Sequence, residues 1–270
     1  YPPVPASGRP SFVQVLDQIQ TIWVQQQPKV GEVTAQIQAR LTAQAAPPAG
    51  ELPASDVGEA ILAGMRKGWD RKHSGWSGGS QPSKFPMPSR LLAILSIGQL
   101  RDDASTLTLA QQMLTAMDQG GVHDHLGGGF HRYSVDPAWT VPHFEKMLYD
   151  NAQLLQAYAV ANVVLGDARY GQVARDTADY LIRDMQAPSG AFWASEDADS
   201  GGEEGTFYVW NQAQIRALLP ADQADAFIAA YPISADGNFE ESGSTVLNRA
   251  EDQDPQAGLL PQARTRLYGA

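Results

Sequence analysis

Apolar residues recur in this chain with helical spacing, and successive helices differ in how much of their circumference is apolar. Val57, Ile61, Leu62, Met65 and Trp69 make a single stripe, whereas residues 89–100, SRLLAILSIGQL, are apolar nearly all round. Residues 105–117 return to one stripe through Leu109, Met113, Leu114 and Met117. Residues 154–165, LLQAYAVANVVL, are again apolar on most faces, and residues 169–185 go back to one stripe. A helix with one apolar face lies on the outside of a core and one apolar all round lies within it, so the alternation predicts two concentric layers of helices. The connections repeat too: Gly75-Trp76, Gly129-Phe130 and Ala191-Phe192 each set a small residue before an aromatic, 54 and then 62 residues apart. The predicted fold class is mainly α, a partial (α/α)6 toroid of about three helical hairpins, with a strand-like FYVW at 207–210 and a helix at 212–219 after them.

Ahead of these hairpins, Pro-rich residues 1–10 are extended or turning, and Phe12, Val15, Leu16, Ile19, Ile22 and Trp23 form a stripe that continues past a kink at Pro28 to Val30, Val33, Ile37 and Leu41. Ala, Pro and Gly content marks a linker, with Ser55 as the N-cap of the next helix. The expected domains are 1–45, a linker at 46–54, and 55–270. Nothing in the sequence marks either end as a natural terminus, and the chain reads as a piece of a longer polypeptide.

With 19 basic and 30 acidic residues the net charge is −11, which argues against nucleic acid or an anionic membrane as a partner. No apolar run reaches the ~18 residues of a membrane span and no signal segment opens the chain, so cytoplasm is the default compartment. The absence of cysteine excludes disulfides, thiolate metal sites and thiol nucleophiles.

Chemistry concentrates in residues 120–151, GGVHDHLGGGFHRYSVDPAWTVPHFEKMLYDN, which hold four of the five histidines between glycine runs. Imidazole both takes and gives a proton near neutral pH, so His131 and His143 are the candidate acid–base pair. Pro142 is expected to start a helix with His143 in its first turn, Glu145 one turn from Tyr149, and Lys146 one turn from Asp150. Glu145 is the third catalytic candidate. Arg132, Tyr133, Phe130, Lys146, Tyr149, Asp150 and Asn151 are candidates for binding, together with Trp76, Trp193, Glu196, Asp197 and Asp199 on the neighbouring loops. The spacing of His123 and His125, with His131, His143 and Glu145 nearby, leaves a divalent metal open, and residues 197–203 partly match a calcium loop. Neither pattern is complete, so no metal and no cofactor is assigned. Paired carboxylates beside aromatics suit sugar chemistry, and an acidic solvated loop is the bland alternative.

GGVHDHLGGGFHRYSVDPAWTVPHFEKMLYDNAQL, SEDADSGGEEGTFYVW and GNFE at 237–240 resemble the bacterial and animal family that includes the spermatogenesis-associated thioredoxin-domain protein. SKFPMPS at 83–89 is similar to that family's Pro-Lys-Phe-Pro stretch, with Ser83 in place of the first proline. The resemblance implies a thioredoxin-like domain, of which residues 1–45 would be the tail, joined to a toroid similar to N-acylglucosamine 2-epimerase, of which about half would be present. It implies a sugar-like small-molecule ligand and, through the thioredoxin-like domain, a client protein. The expected function is a sugar epimerase or isomerase using histidine acid–base catalysis. Glycoside hydrolysis by Glu145 or Asp150 with Asp197 or Asp199 is the enzymatic alternative, and a non-catalytic scaffold the other.

Overall fold

The computed structural model describes residues 1–5, 8–45, 56–76, 82–239, 242–250 and 253–270. It divides into two units, Tyr1–Ser55 and Asp56–Ala270. The expected linker at 46–54 and the expected cap Ser55 lie outside the described residues.

In the first unit, helix α1 (Phe12–Gln25) starts with a capping box in which Ser11 and Gln14 bond each other's backbone N–H. Helix α2 (Gln27–Ala45) follows after a single residue, so the kink expected at Pro28 is a break between two helices. Neither helix buries a residue, and Phe12, Leu16, Ile19, Ile22 and Trp23 stay exposed along the stripe.

The second unit is an arc of an α/α toroid. Its outer helices are α3 (Val57–Lys67), α5 (Ala104–Gln119) and α7 (Ala168–Tyr180), and its inner helices are α4 (Pro88–Leu100) and α6 (Leu148–Leu165). Helix α4 packs on α3, α5 and α6, and α6 packs on α7. Their contact forms one core through Leu91, Ile94, Met113, Leu114, Leu154 and Tyr158. Burial of the inner helices is less complete than their composition suggests. Val163 of α6 is 75% exposed and Leu100 of α4 is 86% exposed, because neighbouring helices cover only part of each circumference. Past α7 the helix relaxes into a π-helical turn, Leu181–Met185.

Each of the three expected corners exists as a tight antiparallel bridge, Trp69 with Trp76, His123 with Phe130 and Gln186 with Phe192. After the third corner the chain does not enter an inner helix. It runs instead through β4 (Ser195–Glu196), β5 (Asp199–Ser200), β6 (Glu203–Glu204) and β7 (Val209–Trp210), where Gly201, Gly202 and Gly205 take positive φ and the acidic run has no apolar face to bury. Helices α8 (Gln212–Leu218), α9 (Ala221–Ala230) and α10 (Leu260–Tyr268) then build a separate core around Phe227, Tyr231 and Leu260.

One local expectation fails. Pro142 begins a strand, not a helix: β1 (Tyr133–Ser134) pairs antiparallel with β2 (Pro142–His143), and β3 (Lys146–Met147) pairs with β4. Asp136 fixes the turn by accepting N–H bonds from Ala138, Thr140 and Val141, so the segment is committed to pairing before α6 starts at Leu148. Proline is as acceptable at the start of an edge strand as at the start of a helix, and tertiary pairing decided between them. His143 and Glu145 are therefore not on the helix, and neither a first-turn dipole at His143 nor a one-turn spacing of Glu145 and Tyr149 or of Lys146 and Asp150 applies.

The glycine run of the second corner has a packing origin. Gly129 has φ +76°, and a Cβ there would lie 2.5 Å from the Tyr180 ring, whereas Gly190 of the third corner has φ +86° with nothing within 4 Å. Gly190→Ala should cost only the left-handed backbone penalty, ~1–2 kcal/mol. Gly129→Ala should cost visibly more, as a lower urea midpoint at unchanged m-value. Equal midpoints for the two variants would refute the packing account.

Candidate active site

The first two corners are closed by buried lysines. In the second, the Asp124 side chain accepts from the N–H groups of Leu126 and Gly127 through Oδ1 and from Lys146 Nζ through Oδ2 at 2.7 Å. Lys146 also donates to the Gly128 carbonyl, and its ammonium lies 4.4 Å from the Tyr180 ring centroid and 5.0 Å from that of Tyr208. The first corner repeats the device residue for residue. Asp70 accepts from Lys72 and His73 N–H and from Lys84 Nζ at 2.7 Å, and Lys84 donates to the Ser74 carbonyl beneath the Trp139 ring. Burial opposes ionisation of both carboxylates, yet the lysine and the backbone donors hold Asp70 at about 2 and Asp124 well below its ordinary range. Lys146, expected to bind substrate, has its charge fully engaged by the framework.

Three other expected binding residues do similar work. Asn151 is fully buried, with its side chain bonded to both the N–H and the carbonyl of Phe130 and to the carbonyl of Met147. Phe130 is stacked between His123 and Tyr158. Trp76 packs edge-on against Trp69 and donates its indole N–H to the Met65 carbonyl. Asp197 and Asp199 lie exposed on the acidic loop.

His131 and His143 belong to different surroundings. His131 is buried, gives its Nδ1–H to the Phe144 carbonyl at 2.9 Å, and is held neutral down to about 3 by burial and by the Lys146 charge. With Lys146, Trp193 and Glu196 it lines a cavity of about 810 Å³ that does not include His143. The remaining candidates gather instead on a rim at the start of α6. There the Tyr133 ring stacks on Phe85 at 4.8 Å and on His143 at 5.1 Å. His143 Nδ1 is 2.6 Å from Glu204 Oε1, and its Nε2 lies 3.7 Å from Glu145 Oε2. Arg132 bonds Glu145 at 2.7 Å and also reaches the Tyr149 side chain. Among the described residues its buried Nε has no partner. Asp150, in the first turn of α6, is raised to about 6 by burial and by the nearby Glu145 charge, against the opposing pull of Arg132. The rim thus combines a carboxyl that titrates near neutrality, an imidazole between two carboxylates, a guanidinium and a stacked aromatic face.

Glu204, part of the acidic run, and Phe85, one of the loop aromatics, are the rim residues given no role from sequence, and the Glu204 bond to His143 spans 61 residues, beyond any local pattern. The corners were legible as a repeat from Gly75-Trp76 and Gly129-Phe130, but Asp70 and Asp124, at matching positions in WDRKHSGW and HDHLGGGF, were missed. Among the described residues no three His, Asp or Glu side chains converge as a metal ion requires. His123 and His125, the residues that raised that question, are turned to the carbonyls of Asp118 and Gly120.

No family model matches the chain. Among known proteins it is 36% identical over 234 residues to human spermatogenesis-associated protein 20, a match covering 82% of this chain and 29% of that protein. It is 34% identical over 285 residues to the mouse protein of the same name, covering 97% of this chain and 34% of that one. An uncharacterized protein of Caenorhabditis elegans is 31% identical, covering 96% of this chain and 36% of its own length. The chain therefore spans about a third of the length of the curated relatives it matches. Solved structures include cellobiose 2-epimerase from Spirochaeta thermophila, with TM-score 0.48 and 21% identity over 62% of this chain and 40% of that one. A sugar epimerase from a ruminal bacterium has TM-score 0.46 and 16% identity over 57% and 43%.

Removing one member of a buried ion pair strands the other charge, at a cost of ~3–5 kcal/mol. Lys84→Met and Lys146→Met should each lose that much in urea unfolding, despite similar side-chain volume. Loss at Lys146 alone would contradict the equivalence of the two corners.

Proposed function

The chain belongs to the family of spermatogenesis-associated protein 20, and we propose that its Asp56–Ala270 unit binds a sugar-like ligand at the α6 rim and epimerises or isomerises it by proton transfer. The observation that carries the reading is Asp150, a carboxyl that titrates at about 6 beside Arg132 and Glu145, the same Glu145 that lies 3.7 Å from His143 of the His143–Glu204 pair. A carboxyl that titrates near neutrality, an imidazole held by a carboxylate, and a cation for a developing oxyanion are what abstraction next to a carbonyl needs. The stacked Phe85, Tyr133 and His143 rings offer the apolar face that a sugar ring covers.

In this mechanism His143 keeps its Nδ1–H on Glu204, so Nε2 accepts the proton from the carbon beside the carbonyl. The electrons released go to the carbonyl oxygen, whose charge Arg132 stabilises. Protonated Asp150 returns a proton to the carbon, and solvent resets both groups. Glu145 orients Arg132, and Tyr149 and Tyr133 bound the ligand. His131 leaves the expected acid–base pair because it is buried, neutral and bonded to Phe144 on the cavity side.

The raised carboxyl also supports a second reading, glycoside hydrolysis with Asp150 as general acid and Glu145 as its partner. Proton NMR of reducing sugars and their glycosides in D₂O separates the two. Deuterium entering beside the carbonyl, with the epimer appearing, supports proton abstraction, and release of a free sugar without exchange supports hydrolysis. His143→Ala should lower the exchange rate ~10²- to 10⁴-fold, while His131→Ala should not do so beyond its effect on folding. Absence of both reactions across the panel would overturn the enzymatic reading and favour the scaffold, an acidic binding rim presented beside a thioredoxin-like module that handles client proteins.

Asp150 also predicts a pH effect on stability. Its pKa is higher folded than unfolded, so the folded state binds the extra proton between about 4 and 6 and stability falls as pH rises through that window. Asp150→Asn should therefore stabilise the protein at pH 7.5 by on the order of 1 kcal/mol, allowing for solvent access at the rim. The gain should vanish near pH 4. A gain of equal size at both pH values in thermal unfolding would contradict the raised carboxyl.

A further inference from the structure

The cavity on the other side of the β1–β2 segment is not used by the rim chemistry. It measures about 810 Å³, within the range of sites for organic ligands. Its walls come from the second corner, the π-helical turn after α7, the third corner, the short strands that follow, residues 246–247 and residues of α8 and the end of α10, all within the Asp56–Ala270 unit. A π-helical turn is rare and recurs at functional sites, and this one places Arg183, Asp184 and Met185 in the wall.

The polar groups of the wall have a consistent sense. His131 spends its N–H on the Phe144 carbonyl and His125 spends its Nε2–H on the Gly120 carbonyl. Both rings are kept neutral by burial, so His131 Nε2 and His125 Nδ1 are lone-pair acceptors. The cations of the wall are already matched, Lys146 by Asp124 and Arg183 by Asp184. Glu196 differs. Its two oxygens accept from the hydroxyls of Tyr180 and Tyr208, and among the described residues no cation pairs with it. A carboxylate retains further lone pairs after two such bonds. Around this acceptor-rich interior the aromatic side chains Trp193 and Phe207 stand 59% and 71% exposed. Large aromatic surfaces left in water beside a cavity mark a place where a ligand is covered.

We propose that this cavity binds an organic primary ammonium ion, its N–H donors meeting Glu196 and the unprotonated histidine nitrogens and its apolar part lying against Trp193 and Phe207. A cation is favoured over an anion because Glu196, which has no cation partner among the described residues, is negative and the chain carries −11 overall. It is favoured over a neutral alcohol because an ammonium supplies three donors and a charge where the alcohol supplies one donor.

The test is calorimetric titration of the protein at pH 7 with 2-phenylethylamine and with 2-phenylethanol, which share shape and differ in charge. The amine is expected to bind saturably and at least about tenfold more tightly, the scale of one charge-assisted contact. Glu196→Gln should abolish that preference. Trp193→Ala, at an exposed position that leaves the core intact, should weaken both probes alike. Equal binding of the two probes, an unchanged preference in Glu196→Gln, or no saturable binding of the amine would each overturn the proposal. The rim reading is independent of this result, because His143, Asp150 and Arg132 do not line the cavity.

Discussion

A buried ammonium is costly unless its charge and its protons are all met, and this fold meets that cost twice in the same way. Lys84 and Lys146 are each essentially inaccessible to solvent, each bonds an aspartate at 2.7 Å and a corner carbonyl, and each lies beneath an aromatic ring. The aspartate is in turn fixed by two backbone N–H groups of the corner it closes. The lysine is contributed by the stretch leading into the next inner helix, so each pair ties the end of an outer helix to the start of an inner one. Position and direction of α4 and α6 follow from those ties. The third corner has Ala187 where the first two have aspartate, and after it the chain leaves the hairpin pattern for short strands. The fold departs from its repeat where the tie is missing.

The second corner shows how a structural device and a candidate site come to be interleaved. Asn151 and Phe130 hold the start of α6 against the corner, and Asp118 pairs with Arg249 and His123 beneath it. Burial would raise the Asp118 carboxyl, but the His123 hydrogen bond and the Arg249 charge keep it at about 2. The rim groups are arranged on this fixed base. Rigid support of that kind is what allows Arg132, Glu145 and Asp150 to keep their separations as protons move.

Much of the architecture was legible because it rests on periodicity. The alternation of one-striped and nearly all-apolar helices reads directly as outer and inner layers, and the small-aromatic corners fall where the bridges form. The acidic run at 195–204 and the Pro142 segment were less legible, because both are settled by pairing with distant strands. Lys146 faces Glu196 across fifty residues, and no local preference encodes that register. Density of histidine and glycine was an ambiguous guide for the same reason. Gly129 is required by the Tyr180 ring and His131 is bonded to a backbone carbonyl, so part of the signal that pointed to chemistry was produced by packing. Of the residues that meet at the rim, Arg132, Tyr133, His143, Glu145, Tyr149 and Asp150 were sequence candidates, while the contact of Glu204 with His143 spans 61 residues and has no local signal.

The two short strands β2 and β3, unexpected as they are, account for how two different environments share so few residues. On a helix Glu145 and Lys146 would lie about 100° apart on one surface, both near the rim. In extended backbone consecutive side chains point to opposite sides. Glu145 therefore turns to Arg132 at the rim while Lys146 turns inward to Asp124, and on the partner segment Arg132 and His131 divide in the same sense. Phe144, between His143 and Glu145, is fully buried and gives the wall that separates the two sides. The short strands thus let one stretch of chain build the framework on one side and display titratable groups on the other. Among the described residues, Lys146 and Arg183 on the cavity side are matched by Asp124 and Asp184 while Glu196 has no cation, and on the rim side Asp150 is left titratable.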